Sequence, residues 1–179
     1  MRDFMIFEIE DADIQACAQV IIDANNPISE KLGFAPNADI TPAVERLKDE
    51  KFADSRIFKG VSGGEIVSTF MVKKVGDEYK SFEICMMAVR PDCQKLGFGQ
   101  KMLNYALLYI SNQGGTGAFC AFPTANDVVG LWLEKNEFFV DGFYNLPNGE
   151  ICIMQKPVQP AESCSSSCGD GCSSCSSCG

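Results

Sequence analysis

The sequence predicts a single domain of mixed α and β structure, and three observations support this fold class. Residues 82–89 are mostly apolar and are followed by a proline, which is typical of a strand that ends there. Residues 102–110 place apolar side chains three and four positions apart, which is typical of a helix. Residues 56–61 and 65–72 form two further strand patterns around Gly63-Gly64, a hairpin signal. The 179 residues are enough for one sizeable core.

The remaining elements follow from the same signals, taken in chain order. A strand, a helix and a second helix precede the hairpin, and a strand, a helix and two closing strands come after residue 112. Their predicted positions are a strand at 4–9, a helix from Ile14 that Asn25-Asn26-Pro27 ends, a helix from Thr41 to about Lys51, a strand at 117–122, a helix to about Asn136, and strands at 138–140 and 151–154.

The segment from Gln94 to Gly99 joins the predicted strand 82–89 to the helix after it. The loop and the first helical turn carry N–H groups without a partner inside the helix, and the helix dipole adds partial positive charge there. Such a loop suits a phosphorylated ligand. The lysine loop of nucleotide hydrolases is absent, and the dinucleotide fingerprint fails because Met102 stands where its third glycine belongs.

The segment resembles the coenzyme A pyrophosphate loop of the GNAT superfamily of acetyltransferases, [QR]-x-x-G-x-[GA], at Gln94, Gly97 and Gly99. The V-x-P that precedes this loop in that family is similar to Val89-Arg90-Pro91. The predicted order of elements over residues 4–156 also resembles that family. The resemblance implies a mixed, mostly antiparallel sheet flanked by helices, in which two central strands diverge to admit acetyl-CoA.

The resemblance also implies roles for individual residues in acetyl transfer to a primary amine. Glu83 corresponds to the glutamate that acts as base in the histone-acetylating branch, and the backbone N–H of Val89 to the donor that polarises the acetyl group. By strand alternation Glu83 shares a face with Cys85, Met87 and Val89, among apolar groups that raise a carboxyl pKa. The alternative is a glutamate that points to water. The implied coenzyme-binding residues are Val89, Pro91, Gln94, Lys95, Leu96, Gly97, Phe98, Gly99, Gln100 and Asn126.

The helix after the fifth strand departs from the family pattern N-x-x-A-x-x-x-Y-x-x-x-G-F. Asn126 matches its asparagine, which either caps the helix or binds the pantetheine arm. Leu133 stands where the family has the tyrosine that acts as acid, and Glu137 where it has glycine. Tyr144 is another candidate acid; otherwise the thiolate leaves unassisted or is protonated by water.

Composition restricts the other classes of function. The net charge of −9 argues against a nucleic-acid partner, and the absence of histidine excludes Ser-His-Asp and Cys-His catalysis. No apolar run reaches the roughly 20 residues of a membrane span, and the first residues lack a secretory signal pattern. We therefore expect a cytoplasmic protein without a membrane partner, whose ten cysteines are thiols or metal ligands.

The chain divides by composition into a predicted acetyltransferase domain at 1–157 and a flexible tail at 158–179. Residues 163–179 contain eight serines and five cysteines, so they offer almost no apolar surface for a core. A flexible chain with this spacing is able to wrap thiolates around Zn²⁺, another thiophilic metal or an iron–sulfur cluster. The alternative is a reduced tail that takes up metal adventitiously. The cysteines are Cys164, Cys168, Cys172, Cys175 and Cys178.

Three functions are therefore open from the sequence. The first is an acetyl-CoA-dependent N-acetyltransferase that acts on a small-molecule or protein amine. The second is a coenzyme A-binding regulatory module without catalysis, and the third a metal-handling protein that acts through its tail. Dimers are common in the family that the chain resembles, so a homodimer is one expected state.

Overall fold

The computed structural model describes residues 3–31, 33, 35–51, 54–76, 80–147 and 149–161. Within these residues the chain forms a sheet of seven strands and four α-helices. The strands are β1 Phe4–Glu8, β2 Ser55–Ser62, β3 Glu65–Val75, β4 Ser81–Val89, β5 Gly117–Pro123, β6 Phe139–Leu146 and β7 Gly149–Pro157. The helices are α1 Ile14–Lys31, α2 Thr41–Lys51, α3 Phe98–Asn112 and α4 Asp127–Lys135.

The spatial order of the strands is β1-β2-β3-β4-β5-β7-β6. Neighbouring strands pair antiparallel except β4 and β5, which pair parallel because α3 carries the chain across one face between them. Gly63 and Gly64 have φ values of 63° and 83°, as the predicted two-residue hairpin turn between β2 and β3 requires. The predicted fold class, a mostly antiparallel mixed sheet flanked by helices, is confirmed.

Helices cover both faces of the sheet, and beneath them lie the two larger of three core clusters among the described residues; the third and smallest consists of Val67, Cys93 and Phe98. The cluster under α1 and α2 includes Cys17, Ile21, Leu47, Ile57 and Met71. The cluster under α3 and α4 includes Phe58, Phe70, Ile84, Met102, Leu103, Ala106, Ile110 and Leu133. Each large apolar side chain that is fully buried in this way contributes about 1.5–3 kcal/mol, so packing against the sheet holds both helix pairs in place.

The prediction that Glu83, Cys85, Met87 and Val89 share one face of β4 is wrong. Met86 has a φ of 50°, and the β3–β4 register shifts between Thr69 and Met71, so β4 contains a bulge. Cys85 packs against the α1–α2 cluster, whereas Met87 and Val89 pack against the α3 cluster. A single inserted residue reverses the alternation of every side chain beyond it.

The predicted end of the first helix at Asn25-Asn26-Pro27 is also wrong, because α1 continues through Pro27 to Lys31. Asn26 binds both backbone groups of Asn37: its Nδ2 donates to the Asn37 oxygen at 3.0 Å, and its Oδ1 accepts from the Asn37 N–H at 2.8 Å. This long-range clamp fixes the last turns of α1 against the segment before α2, and a local pattern does not contain it.

The residues after β7 remain hydrogen-bonded to the domain as far as Ala161. The Val158 N–H donates to the Thr116 oxygen at 2.9 Å, the Ser111 hydroxyl donates to the Gln159 oxygen at 2.6 Å, and the Ala161 N–H donates to the Ser111 oxygen at 3.0 Å. The five tail cysteines that were predicted as metal ligands lie outside the described residues. None of the described helices has the length and apolar character needed to cross a bilayer.

Candidate functional site

The parallel strands β4 and β5 separate soon after they meet. They pair only from Ser81 to Glu83, opposite Gly117 to Phe119. Beyond this point β4 remains paired with β3 as far as Val89, while β5 remains paired with β7 as far as Pro123. The sheet therefore opens between two adjacent strands at their carboxyl ends, the kind of position where open sheets bind ligands.

The Gln94–Gly99 loop follows β4 at the open end of this gap. Lys95 and Gly97 both have left-handed backbone conformations, with φ values of 62° and 81°, and Gly97 is the N-cap of α3. Among the described residues, the N–H groups of Lys95, Leu96 and Gly97 donate no backbone–backbone hydrogen bond, and Lys101 is the first that donates to the Gly97 oxygen, at 3.2 Å. Such a curled loop with free donors at a helix N-terminus suits an anion.

Two side chains of the loop, and that of Gln100 next to it, hold the loop in place. Phe98 is buried and its ring stacks on Phe4 of β1 with centroids 4.3 Å apart. The Gln94 side-chain amide donates to the Val89 oxygen at 3.0 Å and so closes the loop onto the end of β4. The Gln100 amide nitrogen lies 2.7 Å from the Asn136 Oδ1 and joins α3 to the end of α4. The side chains of Gln94 and Gln100, predicted as coenzyme ligands, are exposed but bond to other groups of the protein.

The end of β4 presents its backbone to the gap. Val89 lies opposite Ser68, and the next pair is hydrogen-bonded, because the Arg90 N–H donates to the Val67 oxygen at 2.9 Å. Hydrogen-bonded and non-hydrogen-bonded pairs alternate in an antiparallel ladder. The N–H of Val89 therefore points away from β3, toward the side where β5 has separated. Alternation gives the N–H of Met87 the same direction.

Glu83 lies in the paired part of β4, directly opposite Lys73 of β3, and its side chain is half-buried. Burial raises the pKa of its carboxyl group above the ordinary value, although Lys73 and Arg46 of α2 act to lower it. Both carboxylate oxygens of Glu50 hold the Lys73 ammonium, at 3.0 and 3.3 Å. A carboxylate with a raised pKa is suited to accept a proton near neutrality. Glu50, Lys73 and Arg46 carry no local motif, so pattern reasoning missed them.

Asn126 lies after β5, at the same open end of the gap as the Gln94–Gly99 loop. It is the N-cap residue of α4, but its side chain makes no capping hydrogen bond. The capping role offered by its position is therefore not used by the side chain.

A Cβ atom built on Gly99 would lie 3.8 Å from Trp132 of α4, so the first turn of α3 packs closely against α4.

The two departures from the family pattern have structural counterparts. Leu133 is 1% exposed and belongs to the apolar core under α3, so this position supplies no proton donor. Glu137 has a φ of 65°, a conformation that glycine adopts without strain. Its carboxylate lies 2.7 Å from the Lys156 ammonium. Tyr144 lies on the edge strand β6, which β7 separates from β5.

Other features near the gap show no further reactive group. Burial raises the pKa of the Cys85 and Cys120 thiols to about 12, so both are protonated at neutral pH. A groove of about 630 Å³ between α4, β6 and β7 contains none of the predicted site residues. Within the described ranges no three Cys, Asp or Glu side chains are grouped to hold a metal ion.

Comparison with solved structures places this fold among acetyltransferases. The chain is similar to the ribosomal-protein-S18-alanine N-acetyltransferase from Escherichia coli, with 16% identity, a TM-score of 0.70, and 89% of this chain and 97% of that chain covered. It is also similar to the spermidine N-acetyltransferase from Vibrio cholerae in complex with coenzyme A and spermine, with 16% identity, a TM-score of 0.67, and coverage of 86% and 95%. A third similar structure is the PaiA N-acetyltransferase from Thermoplasma acidophilum in complex with coenzyme A. It has 15% identity and a TM-score of 0.71, and the match covers 87% of this chain and 99% of that chain.

Sequence comparison supplies the family independently. No curated protein sequence matches the chain. The family model of the acetyltransferase (GNAT) family, however, matches residues 26–137, well over half of the chain. The matched range contains β4, the Gln94–Gly99 loop, α3 and β5, which together build the opening in the sheet. The chain therefore belongs to the GNAT family of acetyltransferases and is an acyltransferase.

Proposed function

We propose that this enzyme transfers the acetyl group of acetyl-CoA to a primary amine by direct attack in a ternary complex. The observation that carries the proposal is the opening between β4 and β5 beside the free N–H groups of the Gln94–Gly99 loop. A pantetheine arm has the extended shape that such an opening accepts. A pyrophosphate has the charge that the N-terminus of α3 favours.

Coenzyme binding is assigned to the backbone of the loop rather than to its amide side chains. The N–H groups from Lys95 to Gln100 face the pyrophosphate, while the Gln94 and Gln100 side chains keep the loop in shape through the bonds to Val89 and Asn136. The Asn126 side chain, which does not cap α4, is available to bond the pantetheine arm.

The transferred acetyl group needs a donor for the charge that develops on its carbonyl oxygen. The N–H of Val89 has the required direction, but Val89 lies six positions after Glu83, about 20 Å along an extended strand. Met87 is two residues closer to Glu83 and its N–H has the same direction. We therefore propose that the oxyanion donor lies within Met87–Val89 and that Glu83 acts through bound water.

In this reaction the ammonium nitrogen loses two protons and the thiolate of coenzyme A gains one. The protonated amine gives one proton to the Glu83 carboxylate through water, and its nitrogen lone pair forms a bond to the acetyl carbon. The bond between carbon and sulfur then breaks, and the sulfur takes the electron pair. As the amide forms, the nitrogen gives its second proton to water. Because Leu133 stands at the usual position of the acid tyrosine, the leaving thiolate takes its proton from water.

The acceptor is proposed to be a cationic amine. The two acetyltransferases compared above that have a substrate in their names act on a ribosomal protein and on spermidine, both of which offer amines. The net charge of −9 attracts a cation to the surface. Size and identity of the acceptor are best found by screening small amines and peptides with free N-termini for release of free thiol from acetyl-CoA.

Calorimetric titration of the full chain with acetyl-CoA is the first test. We expect wild-type protein to bind, and the Gly97→Glu variant, which adds a carboxylate to the loop, to lose binding while it remains folded. A folded wild-type protein that does not bind acetyl-CoA would overturn the proposal. Glu83→Gln then tests the base, because turnover should fall while the affinity for acetyl-CoA is retained.

A homodimer is also proposed, and β6 is the surface that supports it. β6 forms one edge of the sheet, and seven of its eight residues are exposed. An apolar edge strand with unpaired N–H and C=O groups is a template for another strand. Light scattering after gel filtration should give a dimer for wild type and a monomer for Phe143→Lys; a monomeric wild type would overturn the proposal. The exposed apolar residues are Phe139, Val140, Phe143, Tyr144 and Leu146.

A separate metal-binding role is proposed for the tail, on the spacing of its five cysteines alone. Thiolates at three- and four-residue spacing on a chain without a core suit a soft ion such as Zn²⁺ or Cu(I), or an iron–sulfur cluster. The metal content of full-length protein should exceed that of a chain that ends at Ala161. Equal metal content in the two would overturn this role.

A further inference from the structure

A cluster of charged side chains from three elements surrounds the proposed base. Lys73 on β3 is the direct cross-strand neighbour of Glu83 on β4. Its ammonium does not turn toward Glu83 but is held by Glu50 of α2, whose two carboxylate oxygens lie 3.0 and 3.3 Å from Nζ. The side chains of Lys73 and Glu50 are 35% and 18% exposed, so water screens their charges only in part.

We propose that Lys73, held in place by Glu50, is a positioning residue that sets the protonation state of Glu83 from across the β3–β4 pair. The proposal rests on the proposed role of Glu83 as base and names two residues, on different elements, that serve this role. Neither residue belongs to the resemblance by which Glu83 itself was identified.

The titratable groups that face Glu83 lie on β3, α2, β4 and β5. Burial raises the pKa of the Glu83 carboxyl group; Lys73 from β3 and Arg46 from α2 lower it, and Glu50 from α2 raises it. The thiols of Cys85 on β4 and Cys120 on β5 have a pKa of about 12, so they carry no charge at neutral pH. Of the two cations that oppose the effect of burial on the pKa of Glu83, Lys73 has the larger influence.

Glu50 has a second effect, because it prevents Lys73 from pairing with Glu83. A direct ion pair would lower the pKa of Glu83 and make it a poor proton acceptor. With the ammonium held by Glu50, Lys73 acts on Glu83 through space only. Lys73 and Glu50 therefore act on the pKa of Glu83 in opposite directions.

Opposite effects are expected for the two neutral variants. Lys73→Met removes a positive charge and should raise the pKa of Glu83. Glu50→Gln removes a negative charge and releases the ammonium toward Glu83, so the pKa should fall. A pair that only tied α2 to the sheet would change the stability of both variants in the same direction and would give no such opposed shifts.

The test is an NMR titration of the Glu83 side-chain carboxyl carbon in the full chain, labelled at glutamate and assigned by the signal that Glu83→Gln removes. Lys74→Met and Glu45→Gln are matched controls that make the same charge changes at neighbouring exposed positions of β3 and α2. We expect opposed shifts for Lys73→Met and Glu50→Gln, and almost no shift for the controls. Lys73→Arg, which keeps the charge, should restore the wild-type titration.

Two outcomes would overturn the inference: an unchanged titration in Lys73→Met, or shifts of the same sign in Lys73→Met and Glu50→Gln. The pH profile of acetyl transfer to an amine found in the screen tests the proposed function separately. Opposed NMR shifts with an unmoved activity profile would keep the inference on Glu83 protonation and overturn Glu83 as base. A wild-type protein that does not bind acetyl-CoA would overturn the proposed function, but the result of the NMR titration would still stand.

Discussion

The backbone conformation of Gly97 allows the coenzyme loop to be tested by one methyl group. Gly97 has a φ of 81°, and a Cβ atom at this position would meet no protein atom within 4 Å. Gly97→Ala therefore introduces backbone strain without a clash. An L-residue in the left-handed region costs about 1–2 kcal/mol, and the stiffer unfolded chain of alanine offsets about 0.4–1 kcal/mol.

Two measurable losses follow from this strain. In the free protein the net cost of about 1 kcal/mol corresponds to a fall in Tm of roughly 2–4 °C for a domain of this size. In the complex, a loop that relaxes away from the left-handed conformation loses one hydrogen bond to the pyrophosphate, worth about 1.5–3 kcal/mol because the acceptor is charged. The Kd for acetyl-CoA should therefore rise by about 10–100-fold.

Gly99→Ala is the matched control, since it adds the same methyl group two residues away. Its Cβ would make an ordinary contact of 3.8 Å with Trp132, and its φ is not in the left-handed region. Alanine in the first turn of a helix is up to about 1 kcal/mol more favourable than glycine. Differential scanning calorimetry and calorimetric titration should show a stable variant that keeps its affinity. If Gly97→Ala binds acetyl-CoA within about twofold of wild type while its Tm falls as expected, the loop backbone does not hold the pyrophosphate.

Two predictions concern the packing and the pH dependence of the domain. Gly60→Ala should lower the free energy of unfolding by about 1–3 kcal/mol, because its Cβ would overlap Ser68 Oγ and the Phe4 ring. Denaturant unfolding measures this loss, and an unchanged midpoint would contradict the close packing of Phe4 and Ser68 on Gly60. Burial acts to raise the pKa of Asp13, but hydrogen bonds from Lys59 and from the Glu10 N–H bring the pKa below its ordinary value. A carboxyl group whose pKa is lower in the folded than in the unfolded chain stabilises the fold at any pH above its unfolded-state pKa. This stabilisation is lost as the pH falls below about 4, through the folded-state pKa. Asp13→Asn should therefore show a smaller fall in Tm between neutral and acidic pH than wild type, and equal falls would refute the role of this pair.

The parts of the fold that the sequence predicted are those that local chemistry decides. The hairpin follows from Gly63-Gly64, because only residues that tolerate positive φ fit such a turn. The buried face of α3 follows from the spacing of Met102, Ala106 and Ile110, because 3.6 residues per turn decide which side chains share a face. Neither depends on the rest of the chain.

The parts that the sequence did not predict depend on contacts between distant segments. The continuation of α1 through Pro27 depends on the clamp from Asn26 to Asn37, eleven residues later. The environment of Glu83 depends on Glu50 and Lys73, which lie on two other elements and carry no motif. The resemblance identified Glu83 itself, since a family pattern preserves residue identity, but a pattern holds no information about the neighbours that set its charge.

The bulge at Met86 is the feature on which the geometry of the site depends most, because it sets Glu83 and Val89 on opposite faces of β4. Its φ of 50° makes a further prediction that separates backbone strain from packing. Met86→Gly and Met86→Ala lose the same apolar contacts, but only glycine relieves the strain, so the glycine variant should be the more stable by about 1 kcal/mol.

Met87, where φ is not positive, supplies the control for this comparison. At an ordinary strand position, a protein with glycine is about 0.5–1 kcal/mol less stable than one with alanine, so the Met87→Gly variant should be less stable than the Met87→Ala variant. Urea unfolding of the four variants measures both differences directly. If the glycine variant is less stable than the alanine variant at both positions, β4 has no left-handed bulge. Its alternation would then be regular, and Glu83 would lie on the same face as Val89, where the donor and the base would have to act from one side of the sheet.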